Sequence, residues 1–243
     1  MPSQDTLLSA QCLRKQYGAL VVLDGVDFEV RRGDAIGIVG PNGAGKTTLL
    51  SVLSGSQGAS AGAIYFQGAD VSALDAARRC RMGIARTHQV PQPFGGMTVF
   101  ENVLTAATHG GGFKRAEAYD RCIDALALCG MTKVANRRAE TLGLLDRKRL
   151  ELTRALATNP VVLLLDEIGG GLTDGEATEL VQTIRVLHAR DIAIVWIEHI
   201  VHILLQVAQR LVCMDAGRVI AEGDPKEVLA NATVVDAYLG GGR

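Results

Sequence analysis

The spacing of apolar residues changes character several times along this chain. Residues 7–13 and 26–31 set β-branched and aliphatic residues around a Gly-containing turn, which predicts two strands. Ala35 to Val39 is a short apolar run, the mark of a strand buried on both faces. Residues 63–72 read as another strand and turn. From Asp75 to Ala157 the pattern becomes helical. Within 116–129, Ala118, Cys122, Ala125, Leu126 and Cys129 fall on one helical face. Val161 to Leu165 and Ile192 to Ile197 are two further buried strands, separated by an amphipathic helix over Thr178 to Ala189. Residues 211–222 read as two short strands joined by Asp215-Ala216-Gly217, and two short helices close the chain. Alternating strands and helices predict an α/β fold with a parallel sheet. The helical stretch reads as an insertion between core strands. No low-complexity segment and no internal repeat is visible.

Composition narrows the picture. The 243 residues suit one large domain or two small ones. Hydrophobic residues make up 48%, but aromatics only 4%, beside 28 glycines. The expected core is therefore aliphatic and glycine-punctuated. A formal net charge of −1 provides no general basic field for nucleic acid or an anionic membrane. The five cysteines form no C-x-x-C pair and are odd in number, against a disulfide framework or a zinc site and in favour of a reducing compartment. The start, Met1-Pro2-Ser3-Gln4-Asp5, has neither the basic nor the apolar region of a signal peptide. No apolar run approaches the roughly 20 residues that span a bilayer. A membrane role is therefore expected to run through a partner.

The strongest chemical signal is Gly40-Pro41-Asn42-Gly43-Ala44-Gly45-Lys46-Thr47, a full match to G-x-x-x-x-G-K-[ST] between a predicted strand and a predicted helix. Glycines let backbone N–H groups turn inward around phosphate oxygens, and the helix N-terminus adds its positive end. Lys46 offers a charge to the β- and γ-phosphates, and the Thr47 hydroxyl a ligand to Mg²⁺. Thr48 continues the cradle. A second acidic site stands at Asp166-Glu167, where a hydrophobic strand ends. Two adjacent carboxylates can divide the labour, Asp166 serving the metal and Glu167 the attacking water. His199 follows the strand ending in Ile197-Glu198. His202 lies three residues on, and this pair without a third ligand is weak evidence for zinc.

With these residues in place, nearly the whole chain resembles an ABC-type ATPase. The resemblance implies a P-loop NTPase core with a parallel sheet, an N-terminal antiparallel β-subdomain and an inserted helical subdomain. The chain would form a single ATP-binding domain over 1–243, with the core and β-subdomain at about 1–74 and 158–243 and the helical subdomain at about 75–157. It implies ATP and Mg²⁺ as ligands. Tyr17 resembles the aromatic that stacks on adenine, and Gln89 the glutamine that touches Mg²⁺ and senses the membrane subunit. His199 resembles the switch histidine at the γ-phosphate. Catalytic roles thus fall to Glu167, His199 and Gln89, and the metal to Thr47, Gln89 and Asp166. Within the family the chain is similar to importer ATPases for branched-chain amino acids and related small polar solutes. That likeness rests on Arg86 to Gln89, Met97 to Val103, Lys148 to Glu151, Gly217 to Gly223 and the ending Ala237-Tyr238-Leu239-Gly240. The implied setting is the cytoplasmic face of the cell inner membrane, attached peripherally to transmembrane permease subunits and served indirectly by a solute-binding protein. The segment from Gln89 to Val103, with Phe94 in its loop, is the expected coupling surface.

Two departures bear on mechanism. The family's signature loop, normally Leu-Ser-Gly-Gly-Gln or Leu-Ser-Tyr-Gly-Asp, here reads Leu142-Gly143-Leu144-Leu145-Asp146. The serine hydroxyl is gone and a glycine has become Leu145. Ile168 stands where the family usually has Pro, ahead of Gly169-Gly170-Gly171-Leu172-Thr173. The resemblance implies that the signature works in trans, so the damage is expected to fall on a second ABC ATPase subunit, and a heterodimer is favoured over a homodimer. Three functions compete: the ATPase motor of an importer, an ABC-type ATPase acting on DNA or ribosomes, and a weakly hydrolytic regulatory half of a heterodimeric ATPase. The second lacks the long coiled-coil insertion, second ATPase domain or basic regions it would need.

Overall fold

A computed structural model describes residues 5–239. The closing Gly240 of the Ala237–Gly240 likeness, and Met1 to Gln4 of the expected start, lie outside them. In chain order the elements are β1 (Thr6–Tyr17), β2 (Leu20–Arg31), β3 (Ala35–Val39), α1 (Lys46–Leu53), β4 (Ala61–Phe66), β5 (Ala69–Asp70), α2 (Ala76–Met82), β6 (Ile84–Arg86) and α3 (Val99–Thr105). They continue with α4 (Arg115–Leu128), α5 (Leu144–Ala157), β7 (Val162–Asp166), α6 (Asp174–His188), β8 (Ala193–Ile197), α7 (Val201–Leu204), β9 (Arg210–Asp215), β10 (Arg218–Gly223), α8 (Pro225–Ala230) and α9 (Ala232–Leu239).

Two sheets form the frame. A four-stranded sheet has the order β2-β1-β4-β5 and is antiparallel throughout. A six-stranded sheet has the order β10-β9-β3-β8-β7-β6. It is parallel from β9 to β6, and β10 returns antiparallel at one edge. The continuous apolar runs are explained by the cover on both faces of this sheet. Ile36, Ile38, Leu164 and Val195 face one cluster, with Leu49 and Leu50 of α1 and Leu8 and Phe66 of the antiparallel sheet. Leu163, Leu165 and Trp196 face the other, with Leu150 of α5 and Leu180 and Ile184 of α6. Alternate side chains of β3, β7 and β8 thus enter different cores, and the loops at their carboxyl ends share one edge.

The stretch that reads as uniformly helical is broken by β6, which pairs parallel with β7. Three residues are too few to display an alternation, so only the sheet edge shows it. Further on, α3 starts with a capping box between Thr98 and Glu101 and runs into a π-helical turn, Ala106–Gly110. The β9–β10 hairpin closes through Ala216 and Gly217 at φ 44° and 78°, the two positive φ values that a two-residue type I′ turn requires. Arg79, 1% exposed, anchors the far end of α1. Its guanidinium donates to the Val52 and Leu53 carbonyls at 2.8 and 2.9 Å, satisfying C-terminal acceptors that the helix cannot.

Candidate functional site

The site is assembled where β3 and β7 end. The loop after β3 enters α1 at Gly45, whose φ is 96° and which brings no side-chain cap, so the first-turn amides stay open to an anion. A cavity of ≈ 250 Å³ lies over this loop, lined by Val22, residues 42–48 and Glu167. Lys46 is 6% exposed. Its ammonium donates to the Gly40 and Pro41 carbonyls at 2.7 and 2.9 Å. Burial pulls its pKa down, opposed by the charges of Glu167 and Asp166 and by Cys213.

Asp166, 1% exposed, meets the loop from the end of β7. The Thr47 hydroxyl donates to its Oδ1 at 3.3 Å. Its Oδ2 accepts from Arg86 Nη2 at 2.7 Å, and Arg86 Nη1 donates to Ser51 Oγ at 2.9 Å. Arg86 therefore ties the edge strand β6, the acidic strand end and α1 together.

Glu167 sits in the left-handed region at φ 48°. A non-glycine residue stays there only where its surroundings over-determine it. Its N–H donates to the Ile197 carbonyl at 2.9 Å, and its own carbonyl accepts from Lys148 Nζ at 3.3 Å. The carboxylate stands between two of the expected residues, with Gln89 Nε2 donating to Oε2 and His199 Nε2 lying 2.9 Å from Oε1. Thr47, Gln89, the adjacent pair Asp166 and Glu167, and His199 are thus brought together from four separate segments.

Behind Glu167 lies Glu198, 2% exposed. Its carboxylate accepts the Gly169 N–H at 2.9 Å and the His199 N–H at 3.1 Å. A Cβ on Gly169 would stand 2.7 Å from Glu198 Oε2, so the close approach needs glycine. Burial pushes the Glu198 carboxyl up, partly offset by those two amides. Arg86, Lys148 and Glu198 were not assigned site roles from the sequence. For Arg86 and Glu198 the available signal is a charge closing an otherwise apolar strand, as in Ile84-Ala85-Arg86 and Trp196-Ile197-Glu198, whereas Lys148 lies within α5 and carries no such mark.

Other predicted residues stand apart. Tyr17, at the end of β1, donates its hydroxyl to Gln57 Oε1 and carries Lys15 Nζ 4.9 Å from its ring centroid. It is not among the residues lining the cavity, where Val22 stands instead. Leu142 is buried, Gly143 is the N-cap of α5, and Leu144 is exposed. Leu145 is half-buried, and Asp146 lies 3.8 Å from Arg149 Nη1. Gly143 gives α5 no side-chain cap, and a Cβ built on it meets nothing within 4 Å. Phe94 is pinned at its backbone by buried Asn102, which accepts its N–H at 2.8 Å and donates to its carbonyl at 3.1 Å. Its ring lies 5.4 Å from the Arg154 guanidinium.

This strand–loop–helix cradle, closed by an acidic strand end and a histidine, is the candidate site for a nucleoside triphosphate. Comparison with known proteins gives the class: residues 23–169 match the ABC transporter family, and the chain belongs to that family as an ATPase subunit of an ATP-driven importer. Residues 218–243 match a second family, described as branched-chain amino acid ATP-binding cassette transporter. The chain is 34% identical over 249 residues to LivG, a high-affinity branched-chain amino acid transport ATP-binding protein of Escherichia coli K12, covering 96% of this chain and 98% of that one. It is 33% identical over 250 residues to a probable LivG of Methanocaldococcus jannaschii, covering 96% and 97%. Among solved structures it is similar to a nucleotide-free ATP-binding cassette from an ABC transporter, with TM-score 0.89, 32% identity and 96% and 98% coverage. The ADP conformation of the cassette MJ1267 superposes with TM-score 0.88, 33% identity and 97% and 99% coverage.

Proposed function

We propose that this chain binds ATP with Mg²⁺ over the phosphate loop and uses hydrolysis to drive uptake of branched-chain amino acids or related small polar solutes. The observation that carries this reading is the convergence of Lys46, Asp166, Glu167, Gln89 and His199 around one phosphate-sized cradle. In the nucleotide-bound state the Lys46 ammonium exchanges the Gly40 and Pro41 carbonyls for phosphate oxygens. Residues 42–48 turn their amides to the phosphates, and Tyr17 offers its ring to the adenine.

The Thr47 hydroxyl and the Asp166 carboxylate are two hard oxygen donors 3.3 Å apart, a set that fits Mg²⁺, with Gln89 near it. Bound there, Mg²⁺ supplies charge neutralisation to the phosphate oxygens. Glu167 orients and deprotonates the attacking water, and His199 holds both that carboxylate and the γ-phosphate. The N–H donor of Gln89 keeps the second carboxylate oxygen in place.

The uncapped start of α5, where Gly143 and Leu144 are exposed within the Leu142 to Asp146 stretch, faces the nucleotide of a second ABC ATPase subunit. Gly143 offers no hydroxyl there and Leu145 interposes a side chain, so a heterodimer with one strong and one weak site is favoured. Among the described residues no helix is long and apolar enough to cross a membrane. Permease subunits, fed by a solute-binding protein, therefore provide the membrane path, and this chain docks peripherally at the cytoplasmic face. The whole of 1–243 acts as one ATP-binding domain, with α3 to α5 and the loop from Gln89 to Val103 as its coupling side.

The experiment is ATPase activity and uptake of labelled leucine in the purified complex with its membrane subunits. Glu167→Gln keeps shape but removes the base, so hydrolysis falls by roughly 10²- to 10⁴-fold while ADP still binds. Wild-type turnover in the variant refutes the role of Glu167. Leucine, isoleucine and valine that all fail to be taken up refute branched-chain amino acids as the solute and leave the related small polar solutes.

A further inference from the structure

The C-terminal part of the chain reaches the phosphate loop at both of its ends. At the far end, the β9–β10 turn donates the Gly217 N–H to the Ala44 carbonyl at 3.1 Å. That turn is itself pinned to β2, since the Asp24 N–H donates to the Gly217 carbonyl at 2.9 Å and Arg218 pairs with the Asp24 carboxylate at 2.6 Å. At the near end, the Gly40 N–H donates to the Tyr238 hydroxyl oxygen at 2.7 Å, across 198 positions of sequence. Gly40 has φ 143°, and a Cβ there would stand 2.0 Å from the Met214 carbonyl oxygen. The residue is thus pressed against β9 through its Cα while its N–H is taken by α9 and its carbonyl by Lys46.

We propose that Tyr238 is a positioning residue for nucleotide binding: its hydroxyl, carried by the C-terminal helix α9, holds the entry of the phosphate loop in the conformation that presents Lys46. The geometry separates this hydroxyl from ordinary packing. Helix α9 is anchored by Val234, 2% exposed, while the Tyr238 side chain is half-exposed and spends its polar end on one amide of the loop. Burial of the phenol raises its pKa, so the oxygen stays a neutral acceptor across the physiological range. An amide directed at α9 is an amide not offered to phosphate. The first loop residue therefore serves as a fixed post, and the residues after it as the cradle. Freed from the phenol, the Gly40 peptide keeps only its packing on β9 and its bond to Lys46, and as a glycine it can shift and carry the Lys46 anchor with it.

The inference rests on the reading of residues 40–47 as the phosphate cradle, and the experiment separates the two. ADP binding with Mg²⁺ is measured calorimetrically on the full chain carrying Tyr238→Phe, Tyr238→Ala or Lys46→Ala. ATP turnover is measured in the complex. Loss of one neutral hydrogen bond predicts an ADP Kd and an ATP KM raised roughly 2- to 10-fold in Tyr238→Phe, with kcat unchanged and the melting temperature lowered by no more than about 1–6 °C. Wild-type affinity in Tyr238→Phe overturns the inference, whether or not Tyr238→Ala is impaired, because only the ring then matters. A drop of kcat together with a fall in melting temperature beyond that range in Tyr238→Phe also overturns it, since that marks general loosening. Weakened ADP binding in Lys46→Ala beside a wild-type Tyr238→Phe refutes the tyrosine alone. Unchanged binding in Lys46→Ala refutes the cradle, and the role of Tyr238 falls with it.

Discussion

Removing Arg86 tests how the acidic strand end is held. The guanidinium and the Asp166 carboxylate are 2.7 Å apart, with side chains 9% and 1% exposed. Arg86→Ala deletes the partner and leaves a carboxylate buried at the end of β7. Breaking a buried pair from one side costs about 3–5 kcal/mol, because the remaining charge is stranded. Asp166 keeps the Thr47 hydroxyl at 3.3 Å and feels the Lys46 charge, which places the cost near the lower end, about 3 kcal/mol. For a chain of this size, 1 kcal/mol corresponds to roughly 2–4 °C, so the melting temperature falls by about 6–12 °C. The assay is a double-mutant cycle by urea or thermal unfolding, using Arg86→Ala, Asp166→Asn and the pair. With both charges gone nothing is stranded, so the double variant loses less than the sum of the singles by at least about 1 kcal/mol. An Arg86→Ala cost under about 1 kcal/mol with an additive cycle refutes the reasoning.

Three further outcomes follow from particular contacts. The folded pKa of Glu198 lies above its unfolded value, so the folded state holds the extra proton between them; stability then falls as pH rises from about 4.5 through the folded pKa. Glu198→Gln removes that decline, and a variant-minus-wild-type melting curve flat across the window contradicts it. Gly143 has extended backbone and open space around a Cβ, so Gly143→Ser folds without strain and gains only a few tenths of a kcal/mol as an N-cap. Combined with Leu145→Gly it restores one charge-assisted bond in trans, and the complex's ATPase rate rises in a way that needs the partner subunit's own phosphate-loop lysine. No rise, or a rise surviving loss of that lysine, removes the case for a weak second site. Phe94→Asp leaves ADP affinity unchanged but uncouples hydrolysis from leucine uptake, and full uptake by the variant contradicts the coupling role.

Sequence alone determined what local patterning can carry. The apolar runs of β3, β7 and β8 are legible because a strand covered on both faces must be apolar throughout. The phosphate loop is legible because its chemistry is written in consecutive residues, glycines for inward amides and then Lys46 and Thr47. Asp166 and Glu167 are legible for the same reason, as charges ending a buried strand. What only the tertiary structure decided are the pairings across distant sequence. Strand β6 is too short to have a period, and its existence depends on the edge offered by β7. Arg86, Lys148 and Glu198 look like ordinary charges until the sheet order sets them beside Asp166, Glu167 and Gly169. Tyr238 reads as a helix-end tyrosine until α9 folds back against β10 and brings its hydroxyl to the Gly40 amide. A side chain's partner is fixed by where the chain returns in space, and no window of neighbouring residues contains that information.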